Sequence, residues 1–238
     1  TEGGGDSMIA HKKEFFGGAA MMVGFVVVLI IIFMPLFGEQ KDQNGLNYLD
    51  DLYNSISKGS AYYIPKVKKE ADAFTGNSVS VTLVMAEEER ARQTSPLLMK
   101  GGALVNVSGK ELKVSGDLSK ILENCLADAD LMYNNEGEKL LAKYGYEAKR
   151  VLLNWWVALN HMEADLKHQK KFKEAKVVAL VITKAVELGY NYYEVDPQKI
   201  GDKVGIVIFS LVFYVVYTLW YGFAIMFMFE GWGLRLEH

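Results

Sequence analysis

Cysteine is almost missing from this chain of 238 residues: Cys125 is the single one. No disulfide can close within one molecule, and no cysteine-built zinc or iron–sulfur site can be assembled from one chain. An excess of either charge is missing as well. The net charge of −3 provides no basic stripe for a phosphate backbone, so nucleic-acid binding is excluded as a class. Several catalytic signatures are also absent. There is no glycine-rich phosphate loop, no metalloprotease helix, no Cys-x-x-Cys pair and no Gly-x-Ser-x-Gly nucleophile turn. The sequence therefore points to no catalytic residue.

Charge is missing in a third sense, locally. Phe15–Phe37, FFGGAAMMVGFVVVLIIIFMPLF, contains no ionisable residue. As a helix it extends roughly 34 Å, enough for a hydrocarbon core of about 30 Å. Its apolar stretch is longer than a cleaved signal peptide needs, and no small-residue cleavage site follows it. It reads as an uncleaved signal anchor, with Pro35 near its far end. A second run, Val204–Phe229, lies between Asp202-Lys203 and Glu230, with Trp232 as an interfacial anchor. Two spans place both termini on one side of the bilayer. His11-Lys12-Lys13 ahead of the first span favours an inside N-terminus, whereas Lys199 and Lys203 argue weakly the other way. The first helix is given the greater weight, which places the segment between the spans outside the cytoplasm, with a bacterial inner membrane as the expected setting. Leu236-Glu237-His238 reads as the start of a histidine tag, and Met8 as a natural start.

The expected organisation is a tail at 1–14, spans at 15–37 and 204–229, a central α+β domain at 39–203 and a short tail at 230–238. Within the domain, Leu46–Phe74 has helical spacing interrupted by Gly59 and Pro65, so two helices are expected. Val79, Val81, Leu83 and Met85 alternate with Ser78, Ser80 and Thr82, as a strand does. The stretch EEERARQTSPLLMKGG reads as a charged loop or short helix. Val105 and Val107, then Leu112 and Val114, suggest two further strands joined at Gly109-Lys110, giving a small antiparallel sheet. Asp117 is suited to cap a helix over Leu118–Tyr133, and Gly145 to end one over Glu138–Tyr144. Glu147–Tyr192 is a long helical stretch with a break near Gln169–Lys173. Its buried stripe is Leu152, Trp155, Leu159, Met162 and Leu166.

Candidate site residues are few. His161, Asp165 and His168 share one helical face and are weak metal ligands, since a solvated polar face explains them as well. Glu87-Glu88-Glu89 with Arg90 and Arg92 reads as surface charge. Of Trp155 and Trp156, one reads as core and the other as half-buried. Asn106-Val107-Ser108 matches a glycosylation acceptor at a strand position that disfavours its use. The strongest feature is in the second span, where Ser210, Tyr214, Tyr217 and Tyr221 line one stripe. A phenol left unpaired in hydrocarbon costs on the order of a few kcal/mol, so this stripe should meet protein, a polar cavity or a ligand. Gly17, Ala20 and Gly24 in the first span form a small-residue face that it can pack against.

These features suggest a non-catalytic structural, accessory or assembly subunit in a lipid bilayer, self-associating or joined to other membrane subunits, with the central domain as its docking surface. An ion-channel subunit is the main rival, its homo-oligomeric pore lined by the stripe and by Thr218, with Glu39 or Glu230 at the mouths. A quinone- or lipid-binding subunit of a redox complex is a third. The cofactor is unknown.

Overall fold

A computed structural model describes residues 9–38 and 41–234. In chain order its elements are α1 (Lys12–Phe33), α2 (Gly45–Ser60), α3 (Ile64–Asp72), β1 (Ser78–Val84), α4 (Glu88–Lys100), β2 (Leu104–Ser108), β3 (Glu111–Asp117), α5 (Leu118–Tyr133), α6 (Gly137–Tyr144), α7 (Ala148–His168) and α8 (Phe172–Val181). A π-helical turn at Ile182–Val186 leads into α9 (Glu187–Asn191), and α10 (Ile200–Gly231) follows. The protein is mostly helical, with one small antiparallel sheet and a long apolar helix toward each end. The chain divides into two compact units, one formed by Ser57–Pro197 and the other by the segments on either side. Residues 41–56, which the sequence reading assigns to the central domain, group with the apolar helices.

The unit at Ser57–Pro197 is built around its sheet and helices α5 and α7. The strand order is β1-β3-β2, and the register sets Leu83 opposite Leu112 and Val81 opposite Val114. Along β1 the Val79, Val81 and Leu83 side chains are buried while the intervening Ser80 and Thr82 are exposed. That alternation is the pleat expressed as burial. A tight turn with Gly109 at φ +58° joins β2 to β3. Only glycine holds that left-handed conformation without strain.

Asp117 ends β3 and caps α5, its carboxylate accepting the Ser119 N–H at 2.9 Å. Gly145 closes α6 in the left-handed region, with its N–H on the Leu141 carbonyl. The predicted stripe of α7 is fully buried from Leu152 to Leu166. The predicted break follows α7, where Lys170 takes φ +61°. The charged stretch at 87–102 forms helix α4 over Glu88–Lys100, with Pro96 inside it.

The other unit contains α1 and α10. At 22 and 32 residues, with mean hydropathies of 2.7 and 2.0 over their most apolar windows, both are long and apolar enough to cross a membrane. Only 6 % of either window is buried, so neither is the enclosed core helix of a soluble domain. After α1, Phe37 and Gln43 exchange backbone hydrogen bonds at 2.9 and 3.2 Å. Asn44 then caps α2 by accepting the Asn47 N–H at 2.8 Å.

Candidate functional site

Helices α1 and α10 run antiparallel in contact, with close approaches at Gly231, where a Cβ would lie 2.5 Å from the Phe15 nitrogen, and at Gly18. A Cβ there would lie 2.7 Å from the Met228 nitrogen and 2.8 Å from the Ala224 carbonyl oxygen. At the same end the His11 N–H donates to the Gly231 carbonyl at 3.0 Å. Farther along, a Cβ on Gly24 would meet the Trp220 ring at 2.9 Å. Of the expected face of Gly17, Ala20 and Gly24, only Gly24 meets α10 within this chain. Nothing lies within 4 Å of a Cβ on Gly17, and Ala20 is exposed. Each residue turns a helix by 100°, so one step from Gly17 to Gly18 moves the small-residue groove onto the partner.

The polar hydrogens of the second span use two kinds of acceptor. The Tyr217 hydroxyl donates to the Phe25 carbonyl at 3.0 Å, with the two rings stacked 4.3 Å apart. The Trp220 indole donates to the Met21 carbonyl at 3.0 Å. Both acceptors are backbone carbonyls of α1, which have a second lone pair after their own helical bond. Ser210 shares a hydrogen bond of 2.7 Å with the Tyr53 hydroxyl and donates to the Val207 carbonyl. The stripe therefore divides. Ser210 and Tyr217 face protein. Tyr214 is 69 % exposed and Tyr221 45 %, although the Tyr221 ring still reaches Phe25 at 5.1 Å.

Sequence reasoning missed the polar centre of the other unit. Asp128 is completely buried. It accepts from Lys143 at 2.6 Å, from the Tyr144 hydroxyl at 2.6 Å and from the Trp155 indole at 2.8 Å. Asn124 completes the cluster, taking a further Lys143 hydrogen at 2.7 Å. Burial, followed by the adjacent carboxylate, pushes the Tyr144 phenol far above its ordinary pKa. Burial also raises the Cys125 thiol, which leaves it protonated and unreactive. No periodicity signals such a cluster, because Asp128 occupies a core position of α5 where the pattern expects an apolar residue.

A buried lysine, Lys58, ties together the ends of the same unit. Lys58 donates to Asn135 Oδ1 at 2.9 Å and to the carbonyls of Tyr192 and Val195 at 2.9 and 2.6 Å. Tyr133 in turn donates to the Lys58 carbonyl. Removal from water lowers the Lys58 pKa, partly countered by Asp196.

The candidate metal ligands are not brought together. Among the described residues no three His, Cys, Asp or Glu side chains gather as a metal site. His161 and His168 are exposed. Asp165 has another role, accepting the Thr82 N–H of β1 at 2.7 Å, while Gln169 donates to the Ser80 carbonyl at 2.8 Å. Helix α7 thereby covers the outer edge of β1, a device against edge-to-edge pairing. Glu87, Glu88 and Glu89 are exposed. Trp155 is core, and Trp156, 40 % exposed, donates to Glu187 at 3.0 Å. Asn106 sits exposed on β2. Glu230 is exposed at the end of α10; Glu39, Met8 and Leu236-Glu237-His238 lie outside the described residues.

Compared with protein-family profiles, curated proteins and solved structures, the chain matches none of them. Asp128, Lys143 and Tyr144 spend their hydrogen-bonding capacity on one another, which suits a structural cluster better than a reacting one.

Proposed function

We propose that this protein is a non-catalytic two-span membrane protein, a structural or assembly subunit that carries the Ser57–Pro197 unit as a docking domain outside the cytoplasm, in a bacterial inner membrane. The observation that carries the reading is the α1/α10 pair. Its interior polar hydrogens, on Tyr217 and Trp220, are satisfied by α1 carbonyls, while the valine, leucine and isoleucine side chains on its outer surface stay exposed. That pattern suits a helix pair solvated by lipid, where backbone and side-chain polar groups must be satisfied internally. Neither apolar segment contains a charge between Phe15 and Phe37 or between Val204 and Phe229, which disfavours a pump or proton relay. The pore reading has less support, because Ser210 and Tyr217, two of its lining hydroxyls, are bonded within the chain.

The test combines alkaline carbonate extraction of membranes with a native mass spectrum from mild detergent. The expected result is a chain retained in the membrane pellet and released as a monomer, a dimer or a complex with another subunit. A chain extracted by carbonate overturns the membrane reading. A closed homo-oligomer of three or more copies that conducts ions in planar bilayers overturns the accessory-subunit reading.

A further inference from the structure

A cleft of about 410 Å³ opens where the apolar helices end, lined by Gly38, Asp42, Gln43, Tyr48, Asp51, Leu52, Gln198 and Lys203. All of these residues belong to the unit that contains α1 and α10. The volume falls in the range of small-ligand sites, about 300–1,000 Å³. Its position is defined by sequence: Gly38 directly follows the apolar run that ends at Phe37, and Lys203 directly precedes the one that begins at Val204. On the reading of α1 and α10 as spans, this is the depth of lipid headgroups.

The cleft contains both charges without pairing them. Among the described residues no carboxylate lies within 4.0 Å of the Lys203 ammonium. Gln43 donates its amide hydrogen to Asp51 at 2.6 Å, which leaves its own carbonyl oxygen as an acceptor. That oxygen faces the chain at Gly38, where a Cβ would meet it at 3.0 Å and would meet Asp42 Oδ1 at 3.3 Å. Gly38 itself has φ +81°, so a larger residue is excluded by backbone and space together. The lining thus includes three acceptors, on Asp42, Gln43 and Asp51, and two donors, the Lys203 ammonium and the side-chain amide of Gln198.

Opposite charges that share a cleft without neutralising each other fit a ligand that has both. We propose that this cleft binds the headgroup of a zwitterionic aminophospholipid. Its primary ammonium donates to Asp42, Asp51 and Gln43, and its phosphodiester accepts from Lys203 and Gln198. Tyr48, stacked with Phe37 with ring centroids 6.4 Å apart, supplies the amphipathic surface that interfacial sites favour. A primary ammonium has three hydrogens to donate, and the lining has three acceptor side chains to receive them. A quaternary ammonium has none, and a glycerol headgroup has no cation.

The proposal rests on the membrane-spanning reading above, and the experiment separates the two. The full-length protein in mild detergent is titrated with phosphatidylethanolamine, phosphatidylcholine or phosphatidylglycerol and read by native mass spectrometry, after carbonate extraction has been scored on the same preparation. The expected result is one phosphatidylethanolamine retained at least about tenfold more tightly than the other two, the scale of one charge-assisted hydrogen bond. Asp51→Asn should bring the ethanolamine-to-choline ratio close to one. Lys203→Gln should weaken both of these lipids together, and Lys203→Arg should restore them; an unchanged thermal midpoint shows that each variant is folded. Equal retention of all three lipids by an integral protein overturns the headgroup site alone. So does calcium displacing the lipid, which would assign Asp42 and Asp51 to a cation, or glycerophosphoethanolamine binding as tightly as the lipid, which would assign the cleft to a soluble ligand. Loss of the chain on carbonate extraction overturns the membrane reading, and this proposal with it.

Discussion

Asp128 shows how one residue holds a core together. A carboxylate with no exposure to water is tolerated only where hydrogen bonds replace its hydration, and here an ammonium, a phenol and an indole do so. Asp128→Ala removes the acceptor of all three at once and leaves the donors stranded. The expected loss is about 3 kcal/mol, at the lower end for a broken buried pair, because Lys143 keeps 27 % of its side chain in water. A urea unfolding curve of the full-length protein in detergent checks it; a loss below about 1 kcal/mol, the worth of one ordinary hydrogen bond, would show that the cluster is not a keystone. Tyr133 gives a second test at this scale. Burial pushes its phenol from 10.0 up to about 12. Between those values the unfolded chain releases the proton while the folded one keeps it, so stability falls as pH rises through that window. Lys58 acts with the opposite sign, since its lowered pKa penalises the folded state while the amine is charged. Tyr133→Phe should therefore flatten the decline in thermal midpoint above pH 10.0, and an equally steep decline in the variant would assign the effect elsewhere.

At the scale of elements, the α1/α10 pair depends on close approaches at glycine, at Gly231 against Phe15 and at Gly18. Gly18 has the Met228 nitrogen and the Ala224 oxygen where a methyl group would sit, and both are backbone atoms that cannot turn aside. Gly17, one residue away, has open space. Alanine is the better helix former by about 1 kcal/mol. The two substitutions should therefore have opposite signs: Gly18→Ala lowers the thermal midpoint in mild detergent, and Gly17→Ala leaves it unchanged or raises it. Two equal responses would mean that the helices do not meet on this face. The sheet follows the same logic of closing exposed groups. Its β1 edge would present unpaired backbone groups, and Asp165 and Gln169 of α7 occupy the Thr82 N–H and the Ser80 carbonyl. Of the set spaced like ligands, His161, Asp165 and His168, Asp165 thus contributes an edge cap.

At the scale of the whole molecule, the two units treat their apolar side chains differently. The Ser57–Pro197 unit buries a continuous apolar core from Ile64 to Val186. The unit with α1 and α10 leaves its apolar side chains outward, the pattern that supports the membrane reading proposed above. This contrast makes carbonate extraction the decisive whole-molecule measurement.

The division between what was legible and what was not follows the range of the interactions. The alternation of β1, the cap at Asp117, the turn at Gly109, the end at Gly145 and the stripe of α7 are local, set by periods of 2.0 and 3.6 residues and by single-residue conformational preferences. The sequence by itself determined these, together with the two charge-free runs. The long-range placements were not determined that way. Gly18 rather than Gly17, Phe25 and Met21 as the acceptors for Tyr217 and Trp220, the partners of Asp128, and Asp165 on the edge of β1 each join residues far apart in the chain. Contacts of that kind leave no periodic trace, because they depend on how whole helices are rotated and spaced when packed, and only the tertiary structure decided them.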